Sequence, residues 1–152
     1  MKKLIVPAGI LLVSLGAGHA LDAPTLKEGL WAIHTVTTAN PGNEVAEKSY
    51  NKCRTHASDK EEELAFNSVP GCSKTDDVMD GNKRTFTITC HILGLDQITH
   101  STVTYNGDTE FHSEAHTTVS KSVRGHTSVD GVSDSKYVGP CPKASDSSSR
   151  PQ

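Results

Sequence analysis

Short runs of glycine, asparagine and aspartate divide most of this chain into segments of strand length, and this division constrains the fold most strongly. Such turn signals stand at 40–43, 80–82 and 106–107. Between them lie segments rich in threonine, valine, isoleucine and aromatic residues, in which apolar and polar side chains alternate. Alternation with a period of two is typical of half-buried strands, and Asn-Gly between two such runs is typical of a tight hairpin. The sequence therefore predicts a mainly β protein made of consecutive antiparallel hairpins.

The pattern also predicts the order of the elements. Strands are expected at 30–38, 45–53, 72–79, 83–93, 97–105, 108–119 and 126–138, with a bulge or turn interrupting the last one near Asp130-Gly131. A capping box beginning at Ser58 predicts one short helix that ends near Phe66, before the Pro70-Gly71 turn. The expected architecture is a curved antiparallel sheet or incomplete barrel of about six or seven strands with one short helix.

The first twenty residues have the features of a signal peptide. Lys2 and Lys3 precede a largely apolar stretch at 4–17, and Gly18-His19-Ala20 offers small residues for cleavage. The apolar stretch is shorter than the roughly 20 residues that span a bilayer, although an uncleaved anchor is the alternative. We therefore expect a single domain at 21–141 that is periplasmic or secreted without a stable membrane anchor. A disordered polar tail is expected at 142–152.

The charge of the chain limits its partners. The formal net charge is −3, and removal of a leader that holds two lysines and no acidic residue changes it to −5. An acidic surface argues against nucleic acids and against anionic lipid surfaces as partners.

Four cysteines, at 53, 72, 90 and 141, predict two disulfides, because an even number behind an export signal is typical of a disulfide framework. No two of them form a C-x-x-C pair, which argues against thioredoxin-type redox chemistry and against a four-cysteine zinc site. A hairpin loop centred on Gly81 would place Cys72 opposite Cys90, close enough to bridge. Cys53 is then left to pair with Cys141.

Several short motifs also occur in a familiar order. They are Gly29-Leu30-Trp31, Cys53 before the helix, Gly71-Cys72 and Cys90 around a hairpin, Tyr105 before a turn with Gly107, and Gly139-Pro140-Cys141 at the end. This layout, from about Lys27 to Cys141, resembles the exported bacterial proteins of the domain of unknown function 3617 family. The resemblance implies a secreted or periplasmic antiparallel β fold, and it transfers no catalytic residue.

Histidines on the predicted sheet suggest a metal site. In His112-Ser-Glu-Ala-His116 the glutamate does not follow the first histidine directly, so the metalloprotease pattern is not met. With a two-residue turn at 106–107, the side chains at 112, 114 and 116 would face those at 101, 99 and 97. They would then share a polar face with His91, so that His91, Glu114 and either His112 or His116 could converge on Zn²⁺ or Cu²⁺. The alternative is a solvated outer face that carries polar residues by alternation.

The opposite face is predicted to be apolar and concave. Its expected members are Trp31, Ile33, Phe86, Ile88, Ile98 and Phe111, of which Trp31 is interpreted as a core residue. This cup predicts an exported binding module for a small apolar ligand or a segment of an envelope protein. A periplasmic metal-binding protein is the alternative. Neither a nucleophile elbow nor a phosphate-binding glycine loop occurs, so an enzyme is not expected, nor is a cofactor.

Overall fold

The computed structural model describes residues 23–142. The leader predicted at 1–20 lies outside the described residues, as does the predicted tail beyond Pro142. Within the described range, no helix is long and apolar enough to traverse a lipid bilayer.

Seven antiparallel strands and one helix make up most of residues 23–142. The strands are β1 (Gly29–Asn40), β2 (Glu44–Arg54), β3 (Cys72–Asp80), β4 (Lys83–Ile92), β5 (Leu95–Asn106), β6 (Glu110–Val123) and β7 (His126–Gly139), and the helix is α1 (His56–Asn67). They form one open sheet in the order β2-β1-β7-β6-β5-β4-β3. The predicted fold class, a mainly β antiparallel sheet with one short helix, is confirmed.

The helix connects the two edge strands of the sheet. β2 and β3 lie at opposite edges, and α1 is the element between them in the chain. Seven strands place the two edges about 29 Å apart at about 4.8 Å per step, and a 12-residue helix is about 18 Å long. The connection crosses one face of the sheet, since Lys60 and Phe66 of α1 line a cleft together with Phe86 of β4. None of its residues is buried, so α1 does not pack tightly on the strands beneath it.

The helix begins one turn earlier than the sequence predicted. Thr55 is the N-cap residue, with extended backbone angles that continue directly from β2. Its side-chain oxygen accepts a hydrogen bond from the backbone N–H of Ser58, and Ser58 Oγ accepts one from the backbone N–H of Thr55, each at 3.0 Å. Ser58 is thus the third residue of a capping box and not its cap, so the prediction was wrong in register. Threonine caps helices as serine does, so Thr55 is an equally good sequence signal for the start of α1.

Both predicted disulfides are confirmed. Cys72 lies directly opposite Cys90 on β3 and β4, with their Cα atoms 4.0 Å apart, while Cys53 pairs with Cys141 at a Cα separation of 5.6 Å. The hairpin that carries the first bridge differs in detail from the prediction. Its turn contains two residues and not three, and a bulge near Asp76, whose φ is 53°, restores the register needed by the cysteines.

The hairpin between β5 and β6 has a different register from the one predicted. Asn106 stays in the strand opposite Glu110, so the loop contains the three residues at 107–109. The backbone carbonyl of Asp108 accepts a hydrogen bond from the backbone N–H of Lys27 at 2.9 Å, and that of Thr109 accepts one from Tyr137 at 2.8 Å. These tertiary contacts hold a longer loop than the local Asn-Gly signal indicates. Each residue of β6 therefore lies opposite a residue of β5 that is three positions later in the sequence than predicted; His112, for example, pairs with Thr104 and not with Ser101.

β7 is continuous, which contradicts the interruption predicted near Asp130-Gly131. Asp130 and Gly131 pair in regular register with β1 on one side and with β6 on the other. Gly131 lies opposite Ala115 and Thr37, and its backbone φ is not positive, so here the glycine marks no turn. β7 is a central strand that is hydrogen-bonded to β1 and to β6, and this pairing keeps Asp130-Gly131 extended despite its local preference for a turn.

The two faces of the sheet have different chemistry. The side chains of Trp31, Tyr137, Phe111, Tyr105, Phe86 and Ile88 define the Trp31 face, and those of His34, His112, His116, His100 and His91 define the His face. Among residues 23–142, the buried hydrophobic residues are only Trp31, Cys90 and Tyr105. Much of the Trp31 face is therefore only partly covered.

Candidate binding cleft

The structure places five of the six predicted cup residues on one face. Trp31, Phe86, Ile88 and Phe111 belong to the Trp31 face, as does Ile33, which lies two residues after Trp31 and shares the partner Ser135 with Phe111. Ile98 lies on the His face and is 40% exposed. The prediction for Ile98 was wrong because the three-residue loop between β5 and β6 shifts the register by an odd number. Such a shift moves every side chain of a strand to the other face relative to its partner.

Trp31 is core and does not line an accessible site. Its side chain is fully buried, and its ring packs against those of Phe111 and Tyr137, with centroids 5.7 and 6.2 Å away. The indole Nε1 donates a hydrogen bond to the carbonyl of Lys27 at 2.9 Å, and the guanidinium of Arg54 lies 5.4 Å from the ring centroid. This cluster buries Trp31 on the β1 side of the Trp31 face.

A cleft of about 570 Å³ remains on the β4 side, beneath α1. Phe86 and Ile88 of β4 and Tyr105 of β5 contribute from the sheet, and Phe66 contributes from the helix. The short segment at 23–26 lies along the same cleft. The volume falls within the range of about 300–1,000 Å³ that is typical of small-molecule sites. The cleft exists because the crossing helix stands above the strands without burying a residue.

Cationic side chains surround the apolar part of this cleft. Arg84 donates two hydrogen bonds to Asp77, each 2.7 Å long, and Lys74 forms an ion pair with the same carboxylate at 2.9 Å. Hydrogen bonding from Arg84 lowers the pKa of Asp77 to about 2 and is also the main reason that the pKa of Arg84 is raised. Asp77 and Arg84 are therefore both charged at neutral pH. Lys60 and Arg54 also line the cleft, and Arg54 is paired with Asp59 at 3.1 Å.

These cations were not among the predicted site residues, although the sequence carries a signal for one of them. Arg84 precedes Phe86 by two residues and Ile88 by four along β4. Because every second side chain of a strand points to the same side, Arg84 lies on the same face as these apolar residues. Lys74 lies directly opposite Ile88 on β3. The contribution of Phe66 and Lys60 depends on the path of α1 across the sheet, which alternation does not reveal.

The His face carries alternating histidines and carboxylates. His34, Asp134 and His112 form one row across β1, β7 and β6, and Asp130, His116 and His100 form a second row across β7, β6 and β5. His112 Nδ1 lies 2.7 Å from Asp134, and His116 Nδ1 lies 2.6 Å from Asp130. The histidines are thus paired with carboxylates of neighbouring strands.

The predicted metal ligands are not brought together. Glu114 lies opposite Thr102 of β5, whereas His91 lies opposite Asp96, which is six residues before Thr102 in β5. Six residues correspond to about 20 Å, so one ion cannot bind both side chains. Within residues 23–142, no group of three histidine, cysteine or acidic side chains is arranged to hold a metal ion. The predicted convergence was wrong because it relied on the two-residue turn at 106–107.

The pairing of His112 with Asp134 gives a pH-dependent expectation. Hydrogen bonding to Asp134, with a smaller contribution from Glu114, raises the pKa of His112 above its ordinary value of 6.5. The stabilisation by this pair is therefore fully present below about pH 6.5 and is lost as the pH rises through the higher pKa of the folded state. We expect Asp134→Asn to lower the pKa of His112, measured by NMR titration of the imidazole protons. Asp130→Asn, which removes the partner of His116, is the matched control; an unchanged pKa of His112 in Asp134→Asn contradicts the assignment.

Together the fold and the cleft define a disulfide-linked open antiparallel sheet that is crossed by one helix. The model of a family described as "Protein of unknown function (DUF3617)" matches residues 26–141. The chain therefore belongs to this family, which confirms the resemblance seen in its motifs. Comparisons with curated proteins and with solved structures found no match.

Proposed function

We propose that this protein is an exported, non-catalytic binding module that holds a small ligand with apolar surface in the cleft beneath α1. The observation that carries this proposal is the unfilled space between the helix and the apolar side chains of β4 and β5. An apolar surface that the protein's own chain leaves partly open favours a ligand, because covering it removes that surface from water.

Two further observations support export and a role without catalysis. The leader pattern at the start of the sequence and the two disulfides favour an oxidising compartment outside the cytoplasm. Asp77, beside the cleft, has a pKa of about 2 and is engaged by Arg84 and Lys74, so it lacks the proton of a general acid and is too weakly basic for a good general base.

A neutral apolar dye tests this function. We expect N-phenyl-1-naphthylamine to bind the full chain at one site with an increase in fluorescence. Ile88→Asn should weaken its affinity about tenfold, because the substitution replaces apolar surface in the cleft with an amide. Ile98→Asn is the matched control, since Ile98 lies on a neighbouring strand but faces the other side of the sheet. An equal loss in both variants, or no binding to the unaltered chain, contradicts the proposal.

A further inference from the structure

The charges that line the cleft have the opposite sign to the chain as a whole. Four cationic side chains contribute to its wall, namely Arg54, Lys60, Lys74 and Arg84, against Asp59 and Glu63 in the wall and Asp77 beside it. The formal net charge of the chain is −3. The cleft is therefore a local concentration of positive charge on an acidic protein, and such a region attracts anions.

The ion pairs leave part of this charge unmatched. Arg54 is paired with Asp59, but Arg84 and Lys74 share the single carboxylate of Asp77. One of the two cations at the β3–β4 side therefore has no carboxylate of its own within that cluster. An anionic group of a ligand could supply the missing negative charge and accept charge-assisted hydrogen bonds from both side chains.

The positive charge is immediately next to the apolar surface. Lys74 Nζ and the guanidinium carbon of Arg84 each lie 5.7 Å from the centre of the Phe86 ring, and Ile88 follows on the same side of β4. A ligand that placed an anionic group between these cations would have its adjoining atoms against Phe86. The spacing thus suits a molecule in which a charged head is joined directly to an apolar chain.

We infer that the ligand of this cleft is an amphiphile with a single anionic head group, such as a carboxylate or phosphate, and an apolar tail. The head binds between Lys74 and Arg84 with Lys60 nearby, and the tail lies along Phe86, Ile88 and Phe66. This inference rests on the proposed function, since it names the class of ligand for the same cleft.

Three amphiphiles with the same chain length separate the two proposals. Dodecanoate, dodecanol and dodecyltrimethylammonium are titrated into the full chain by calorimetry at low ionic strength and below their micellar concentrations. We expect dodecanoate to bind about tenfold more tightly than dodecanol, and the cation to bind most weakly. The preference for dodecanoate should decrease with added salt, because its head is only partly shielded from solvent.

A charge reversal on the helix tests the role of the cations. Lys60 takes no part in the ion pairs of Arg54, Lys74 and Arg84, so Lys60→Glu leaves those contacts intact. We expect it to weaken dodecanoate about tenfold and to leave dodecanol unchanged. Lys121→Glu, which makes the same change of charge at an exposed position outside the cleft, should alter neither.

Each other outcome rejects a stated proposal. Equal affinities for dodecanoate and dodecanol, or tighter binding of the cation, overturn the anionic ligand and leave the apolar binding function in place. Binding of none of the three amphiphiles overturns the binding function together with the inference. If Lys60→Glu leaves the affinity for dodecanoate unchanged, or if Lys121→Glu lowers it equally, the charge of Lys60 has no local effect and the assigned site is wrong.

Discussion

Replacing Trp31 with alanine is expected to lower the free energy of unfolding by about 3–5 kcal/mol, the range for removing a large buried aromatic side chain. Trp31 is the largest fully buried side chain among residues 23–142. Its ring connects Phe111 of β6 with Tyr137 of β7, so its loss leaves a cavity where three strands meet. Since the core of this sheet is small, the remaining contacts cannot readily close that cavity. Urea denaturation followed by circular dichroism measures the change.

Val45→Ala serves as the control for this experiment. Val45 is 61% exposed on the edge strand β2, and a surface change of this kind usually alters stability by no more than about 0.5 kcal/mol. Trp31→Phe should recover part of the loss, because it restores an aromatic ring at the centre of the cluster. If Trp31→Ala costs no more than Val45→Ala, the core is not where the structure places it.

Removing the bridge between Cys53 and Cys141 by replacing both residues with alanine should cost about 4–5 kcal/mol, the second large effect. The bridge joins residues 88 positions apart, so in the unfolded chain it restricts a long loop. In the chain-entropy description, the benefit of a disulfide increases with the length of the loop that it closes. The measurement is the urea midpoint of the oxidised variant compared with that of the unaltered protein.

The bridge between Cys72 and Cys90 provides the comparison. It closes a loop of 18 positions, for which the same argument gives about 3 kcal/mol. The short bridge also joins two strands that are already paired directly, which holds its ends together in the folded state. A larger loss for the short bridge than for the long one would show that loop closure does not determine the contribution of these disulfides.

Most of the fold follows from local patterns in the sequence. The turn at 40–43 and the alternation in β1 and β4 identify strands because each depends only on neighbouring residues. The pairing of Cys72 with Cys90 could be predicted because both residues lie in one hairpin. The predicted pairing is correct because two deviations cancel: the turn is one residue shorter than predicted, and a bulge near Asp76 restores the register.

Features that depend on distant contacts could not be predicted in this way. The loop at 107–109 has its length fixed by hydrogen bonds to Lys27 and Tyr137, which lie far from it in the sequence. Because the β5–β6 register differs from the predicted one by three residues, the predicted face of Ile98 and the predicted convergence of the metal ligands were both wrong. The cleft itself requires the strand order, because only that order sends α1 across the β4 side of the sheet.

The pairing of the first strand with the last one affects how the chain can fold. β1 lies between β2 and β7 in the sheet. Until β7 has been synthesised, the edge of β1 that faces away from β2 has no hydrogen-bonding partner, and Trp31 lacks its contact with Tyr137. A partly synthesised chain can form the hairpins β1–β2 and β3–β4, but it cannot unite them into one sheet before β7 is present. Folding is therefore expected to finish after the chain has emerged completely, and to be slow because its decisive contacts are far apart in sequence.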